Sequence, residues 1–470
     1  LSDIVAQIHF VGLGGAGLSA IALVLLERGI VVSGSDRQAS PVLSRLQQAG
    51  ATVMLTHRAE NIRGADVVVR SSAISDENIE VQAAQKAGIP VLKRSEYLSQ
   101  LLQQNQVIGV AGTHGKTTTT AMIAWMLHEL GMDPSYIIGS TSVNLGSNAH
   151  AGAGPYFVIE ADEYDGMFLG LFPSIALVTN IEHDHPDCYP TPDDFYRAFW
   201  DFSRNIVPDG VLIAGGDDPG AVRLAVEFAQ EGGKSVLFGL DNPAVDYRGS
   251  HLRSNALGGF DFTIYGCDGE ELAQVALRAP GIHNVRNALA AFCVADLLDL
   301  PLAQSAQALS TFQGTGRRFE VRGEPGNVVV IDDYAHHPSE IRTTLAAARA
   351  RYGGRRIWAV WQPHTYSRTR LLQTEFCRAF ENADRVIVTE IFAAREPISQ
   401  DGFSAQSLVE QMRQDQKMVG KPVDFAESLQ DAIDLLQTQV KPGDVILVLS
   451  AGDANQISDR LIAEPSWVGL

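Results

Sequence analysis

Residues 112–118 read Gly112-Thr113-His114-Gly115-Lys116-Thr117-Thr118, the residue types of a phosphate cradle. Glycines admit a bulky anion close to backbone N–H groups. A lysine supplies charge for β- and γ-phosphates, and the threonine hydroxyl beside it suits Mg2+. Only Thr113 and His114 part the two glycines, where the common pattern has four residues. The expectation is a shortened loop that binds a nucleoside triphosphate.

A second glycine set, Gly12-Leu13-Gly14-Gly15-Ala16-Gly17, follows an apolar run, and Asp36 ends the next one. That spacing predicts a strand, turn and helix around a nucleotide diphosphate. Glycines do not say which nucleoside is attached. An NAD site, a related nucleotide-diphosphate site and an empty Rossmann-like turn all stay open.

Acids follow the phosphate loop. Glu160-Ala161-Asp162-Glu163 ends one apolar run, and Asn180-Ile181-Glu182-His183-Asp184-His185 ends another. Ligands of open α/β sheets lie beyond the carboxyl ends of the strands. Thr117, Glu160 and His185 are therefore expected to converge on Mg2+, although an imidazole is an unusual partner for it. Further on, Asp332-Asp333-Tyr334-Ala335-His336-His337-Pro338 and Gln362-Pro363-His364-Thr365-Tyr366-Ser367-Arg368 cap what read as adjacent strands. Arg368 and Arg370 could clamp a carboxylate or phosphate. Arg317 and Arg318 lie at a glycine-rich joint, placed to reach the γ-phosphate when domains close.

These residues need strands to carry them. Short apolar runs at 8–13, 31–35, 66–71, 107–111, 157–161, 175–179, 211–214, 328–331, 357–361, 385–389 and 445–449 alternate with helical patterns, among them Met122, Ile123, Met126, Leu127 and Leu130. Continuous rather than alternating runs predict parallel strands covered on both faces. The chain is too long for one domain. The predicted architecture is α/β with three domains: a Rossmann-like one over 1–105, a P-loop ATPase-like parallel sheet over 106–315, and a Rossmann-like one over 316–470. A mixed pattern at 235–278 predicts a small β addition to the second.

A net charge of −19 argues against non-specific nucleic-acid binding. No apolar stretch is long enough to span a bilayer. The opening residues do not read as a leader, and Leu rather than Met stands first. Cys188, Cys267, Cys293 and Cys377 are scattered without paired spacing, which argues against a disulfide framework or a zinc site. The expectation is a soluble cytoplasmic protein without nucleic-acid or membrane partners.

Taken in order, residues 12–19, 71–74, 112–119, 160–165, 180–187, 281–284 with Asn287, 314–319, 332–338 and 362–370 carry a likeness. The chain resembles the Mur ligases over essentially its whole length. Among them it is most similar to the branch that joins L-alanine to UDP-N-acetylmuramate in peptidoglycan synthesis, and so serves cell wall biogenesis, cell shape and cell division. The resemblance implies that Gly14, Gly15, Gly17, Ser35, Asp36 and Ser72 hold the UDP of that substrate. ATP would take the loop from Gly112 to Thr118, with Asn284 and Asn287 near adenine, Asp333 on the ribose and Arg317 on the phosphates. Thr117, Glu160 and His185 would be the Mg2+ ligands. His337, His364 and Arg368 would surround L-alanine, and His337 or His364 would take its proton. A homodimer is left open.

Two departures narrow the likeness. Sibling ligases use a carbamylated lysine soon after the Asp-His motif, where this chain has Trp200 and no lysine nearby. Some relatives have arginine at Thr365, so a phosphate contact assigned there is not carried over. Three rivals remain: a ligase that recycles a ready-made peptide onto UDP-N-acetylmuramate, an NAD-dependent oxidoreductase, and a P-loop switch that binds ATP without ligation.

Overall fold

The computed structural model describes residues 7–394, 396–397 and 402–467. Three α/β lobes follow one another along the chain, each built on its own sheet. In the first, five parallel strands run in the spatial order Thr52–Met54, Val31–Ser35, Gln7–Val11, Val67–Arg70, Val91–Lys93. This is the winding of dinucleotide folds, and its direction reverses beside Gln7–Val11. The turn from Gly12 to Gly17 and the start of helix Ala16–Glu27 lie at that reversal, where the crevice opens.

Gln106–Ala111 is a central strand of the second sheet, parallel to its neighbours Tyr156–Glu160 and Ile175–Val178. The sheet continues in parallel through Val211–Gly215 and Lys234–Gly239 to Tyr247–Ser254. It then turns antiparallel through Phe260–Gly266 and Glu271–Leu277. The β addition expected at 235–278 is thus an edge of the main sheet. Helix Lys116–Glu129 buries Met122, Ile123, Met126 and Leu127 as their spacing predicts, but Thr118, Thr119, Thr120 and Ala124 are buried as well. A helix enclosed on nearly all sides needs a second apolar layer. Helix Ile282–Leu297 supplies it, with residues from Val285 to Ala295 in the same core.

The third sheet has an antiparallel edge, Glu320–Gly323, followed by the parallel strands Val329–Asp333, Val445–Leu449, Ile357–Trp361, Arg385–Thr389 and Val423–Ala426. The strands ending at Asp333 and Trp361 are therefore not adjacent, as the sequence suggested. Val445–Leu449, from far along the chain, pairs with both.

The lobes are joined by apolar packing and by polar contacts. The first and second share one apolar cluster, in which Ile21 and Leu25 meet Ala149 and Phe157. The second and third are tied at the joint, where Ser142 bridges to Thr315. There Gly316 N–H donates to Thr141 O at 2.8 Å, and Ser140 Oγ donates to Gly316 O at 2.6 Å.

Candidate functional site

The phosphate loop is held from behind. Thr113 N–H donates to Asn180 O at 3.0 Å and His114 N–H to Asn180 Oδ1 at 2.9 Å. Gly112 has φ +126°, and a Cβ there would lie 2.0 Å from Thr179 Oγ1, so only glycine fits. Helix Lys116–Glu129 begins at Gly115, and its first bond is from Thr119 N–H to Gly115 O at 3.0 Å. The N–H groups of Lys116, Thr117 and Thr118 precede that bond and mark the positive end of the helix.

Side chains converge on this end. Thr117 Oγ1 donates to Glu160 Oε1 at 3.1 Å, and Gly139 N–H to Glu160 Oε2 at 2.8 Å. Burial lifts the Glu160 carboxyl above its usual range despite the nearby charges of Lys116 and Arg318. A desolvated carboxylate beside a threonine hydroxyl is an oxygen set that fits Mg2+. Lys116 Nζ pairs with Glu163 at 2.8 Å and donates to Gly112 O at 2.6 Å. His185, with φ +54°, does not touch Glu160. Its Nε2 lies 3.5 Å from Glu163, so the third expected metal ligand stands one carboxylate away from the other two.

Two cavities meet at this helix start. The larger, about 760 Å³, is lined by His114, Gly115, Thr118, Asn284, Asn287 and Asp333. The smaller, about 380 Å³, is lined by Gly17, Arg94, Thr117, Glu160, Arg317 and Tyr334. Arg318 lines both. Asn287 sits against Gly115, whose Cβ would be 2.7 Å from its Oδ1. Asp333 accepts from Phe319 N–H and Ala335 N–H, and burial pushes it up to about 6.

The sequence placed both Arg317 and Arg318 within reach of phosphate, and the two have different partners. Arg317 Nη2 donates to Ser450 O at 2.6 Å and Gly452 O at 3.2 Å, inside the third lobe. Arg318 instead stands 3.6 Å from Glu340, with Asp333 and Glu160 also close enough to hold its charge. Both guanidinium groups lie over the Tyr334 ring at 5.1 Å, and the backbone is left-handed at Arg317 (φ +56°) and Phe319 (φ +49°).

The paired histidines also divide. His336 faces His364, with ring centres 5.9 Å apart, whereas His337 faces His114 at 4.8 Å. His337 caps helix Pro338–Tyr352, and its Nδ1 accepts from Ser339 N–H at 3.3 Å. Burial and then repulsion from His114 push His337 down to about 4. Burial and then Arg368 bring His364 to about 4. Both rings are thereby held in the neutral form at pH 7. His114 behaves oppositely. Burial opposes its charge, but Glu182 at 2.9 Å and Glu340 at 3.3 Å raise it to about 9. Glu182, His114 and His337 bring one donor atom each within 4.8 Å of one another, but Ser339 already occupies both Glu182 and His337.

Arg368 closes the cleft. It is buried, donates through Nε to Asp184 at 2.7 Å, and reaches His364 Nδ1 at 3.2 Å and His185 Nδ1 at 3.4 Å. Arg370 lies over the Phe403 ring at 4.8 Å. In the first lobe, Asp36 Oδ2 accepts from Gly14 N–H at 2.8 Å, and Ser72 is exposed beyond the next strand. Ser35 does not face the crevice. It is fully buried, with its hydroxyl 2.5 Å from Glu80 and 3.0 Å from His57. The Ser35 hydroxyl, expected on the UDP, is thus bonded inside the lobe to Glu80 and His57.

Residues the sequence did not single out include Glu340 and Arg94, while Glu163 was read only as part of the acidic run after the phosphate loop. Glu340 was findable, because a glutamate three positions after a cap residue is the capping-box spacing. Arg94 carries no local signal of its role.

The comparisons with known proteins agree along the chain. Residues 7–106 match the Mur ligase family, catalytic domain; residues 110–295 match the Mur ligase middle domain; residues 317–452 match the Mur ligase, glutamate ligase domain. The chain is 42% identical over 461 residues to the UDP-N-acetylmuramate–L-alanine ligase of Syntrophus aciditrophicus, covering 98% of this chain and 93% of that one. It is 43% identical over 455 residues to the enzyme of the same name from Solidesulfovibrio magneticus, covering 96% and 97%. Among solved structures, the UDP-N-acetylmuramate-alanine ligase of Thermotoga maritima superposes with a TM-score of 0.81 at 29% identity, over 97% of this chain and 98% of that one. A murein peptide ligase from Psychrobacter arcticus superposes with a TM-score of 0.72 at 27% identity, over 99% of each.

Proposed function

The chain belongs to the Mur ligase family, and from that premise we propose that it joins L-alanine to the lactyl carboxylate of UDP-N-acetylmuramate at the expense of ATP. We read residues 1–105 as the sugar-nucleotide lobe, 106–315 as the ATP lobe and 316–470 as the amino-acid lobe. The observation that carries the reading is the shared wall of the two cavities. The larger suits a nucleotide with its phosphates at the start of helix Lys116–Glu129, and the smaller runs from the glycine turn of the first lobe to Thr117 and Glu160.

A carboxylate does not condense with an amine in water, because its oxygen is a poor leaving group. The lactyl carboxylate would attack the γ-phosphoryl group in line and form an acyl phosphate. Lys116 and Arg318 would neutralise charge on the transferring group. Thr117 and Glu160 would hold Mg2+, which lowers the negative charge the attacking carboxylate must approach. The amine of L-alanine would then attack the acyl carbon and expel phosphate. His364, neutral and bonded to Arg368, is placed in the third lobe to take the ammonium proton. His337, turned toward His114, is the less suitable base. The products are UDP-N-acetylmuramoyl-L-alanine, ADP and phosphate.

Water would destroy the acyl phosphate. The buried pair Arg368–Asp184, which spans the second and third lobes, helps to exclude it. Among the described residues no helix is long and apolar enough to cross a membrane. The test is ADP release with UDP-N-acetylmuramate and L-alanine, omitting each in turn. Release that needs a tripeptide instead of L-alanine would favour a recycling ligase.

A further inference from the structure

Three arginines line the smaller cavity. Arg317 is bonded through Nη2 to the carbonyls of Ser450 and Gly452, although its Nε is also without a partner, and Arg318 is set against Glu340 and Glu160. The third, Arg94, opens helix Arg94–Leu101 in the first lobe. Its guanidinium crosses directly over the glycine turn. A Cβ on Gly17 would lie 1.7 Å from Arg94 Nη1, so Gly17 is needed for the arginine to pass. Arg94 Nη2 reaches Asp162 at 3.5 Å, while its buried Nε has no hydrogen-bond partner. A buried guanidinium N–H without an acceptor is costly unless a ligand supplies one.

The turn itself is short of positive charge. Gly14 N–H is already given to Asp36, which adds a negative charge beside the start of helix Ala16–Glu27. A cation would add to what the remaining N–H groups offer a diphosphate placed there, and Arg94 is the arginine against the turn. Resting on the reading above, we propose that Arg94 grips the diphosphate of the sugar nucleotide, and that Asp162 holds the guanidinium in line from the second lobe. The planar fork suits two phosphate oxygens at once. Because Arg94 also touches the acidic loop that ends at Glu163, it links sugar-nucleotide binding in the first lobe to the phosphate loop of the second.

Calorimetry on the full chain separates the outcomes. The probes are UDP-N-acetylmuramate and UDP-N-acetylglucosamine, which share a diphosphate but differ in the lactyl carboxylate. Arg94→Ala should weaken both about 10- to 100-fold, and Arg94→Lys by less, with ATP affinity unchanged as the sign of a folded chain. Asp162→Asn should weaken them by no more than a few-fold. Equal affinity of Arg94→Ala and the parent chain overturns the proposal. A loss confined to UDP-N-acetylmuramate moves Arg94 to the carboxylate and overturns it too. Losses from Asp162→Asn as large as those from Arg94→Ala make the pair a structural strut. If the parent chain binds neither sugar nucleotide, the underlying function is what fails.

Discussion

Replacing Arg318 with alanine, and Arg317 likewise, gives two neighbouring variants with opposite expected behaviour. Arg318 lines both cavities and faces Glu340, Glu160 and Asp333. Its loss removes a preorganised cation from the place where charge develops on the transferring phosphoryl group. Losing one such donor typically costs about 2.7–4 kcal/mol, or about 100- to 1,000-fold in kcat. Arg318→Lys keeps the charge but loses the fork, so it should fall between. Arg317 holds two carbonyls of the third lobe. Removing it leaves Ser450 O and Gly452 O without that donor and costs about 1–3 kcal/mol of stability. The kcat of the folded fraction should change by less than about tenfold, because no reacting atom loses a contact. The assay is coupled phosphate release at saturating ATP, UDP-N-acetylmuramate and L-alanine, with thermal melts of each variant. If Arg317→Ala loses kcat like Arg318→Ala while both stay folded, the division of roles is refuted.

Three further outcomes are expected. Lys116→Ala should lower turnover by orders of magnitude and leave sugar-nucleotide affinity within about twofold, since Lys116 lies at the phosphate loop; parallel kinetics and calorimetry check this. His114, raised to about 9 from an ordinary 6.5, contributes stability that is fully present below about pH 6.5 and is lost as pH rises through about 9. The melting temperature of the parent chain should therefore fall from pH 6.5 to 9.5 by more than that of His114→Asn, and identical slopes would remove the ion pairs with Glu182 and Glu340 from the account. Because His364 is held near 4, the imidazole should impose no acid limb on kcat between about pH 5.5 and 7.5; a limb near 6.5 that vanishes in His364→Asn contradicts the buried, neutral ring.

The strands and both glycine turns were legible because buried parallel strands read as unbroken apolar runs, and phosphate cradles are local in sequence. Thr117 meeting Glu160 followed from both lying at the carboxyl ends of neighbouring strands. What was hidden depends on distant chain or on single dihedral angles. The order of the third sheet was not readable, since Val445–Leu449 inserts between strands that precede it by many residues. Arg317 and Arg318 could not be told apart, because their partners, the carbonyls of Ser450 and Gly452 for one and Glu340 for the other, lie on distant chain. Ser35 resembled a ligand contact, but Glu80, on helix Ile79–Lys86 two strands further along the chain, takes its hydroxyl. His336 and His337 exchanged partners because the second is committed to capping a helix.

Oxygen transfer from the sugar acid to phosphate tests the central claim most directly. UDP-N-acetylmuramate labelled with oxygen-18 in its lactyl carboxylate is turned over with ATP and L-alanine, and the released phosphate is analysed by mass. An acyl phosphate predicts one labelled oxygen in each phosphate formed from fully labelled substrate. Unlabelled phosphate, with the peptide product still made, would mean that the carboxylate never takes the γ-phosphoryl group.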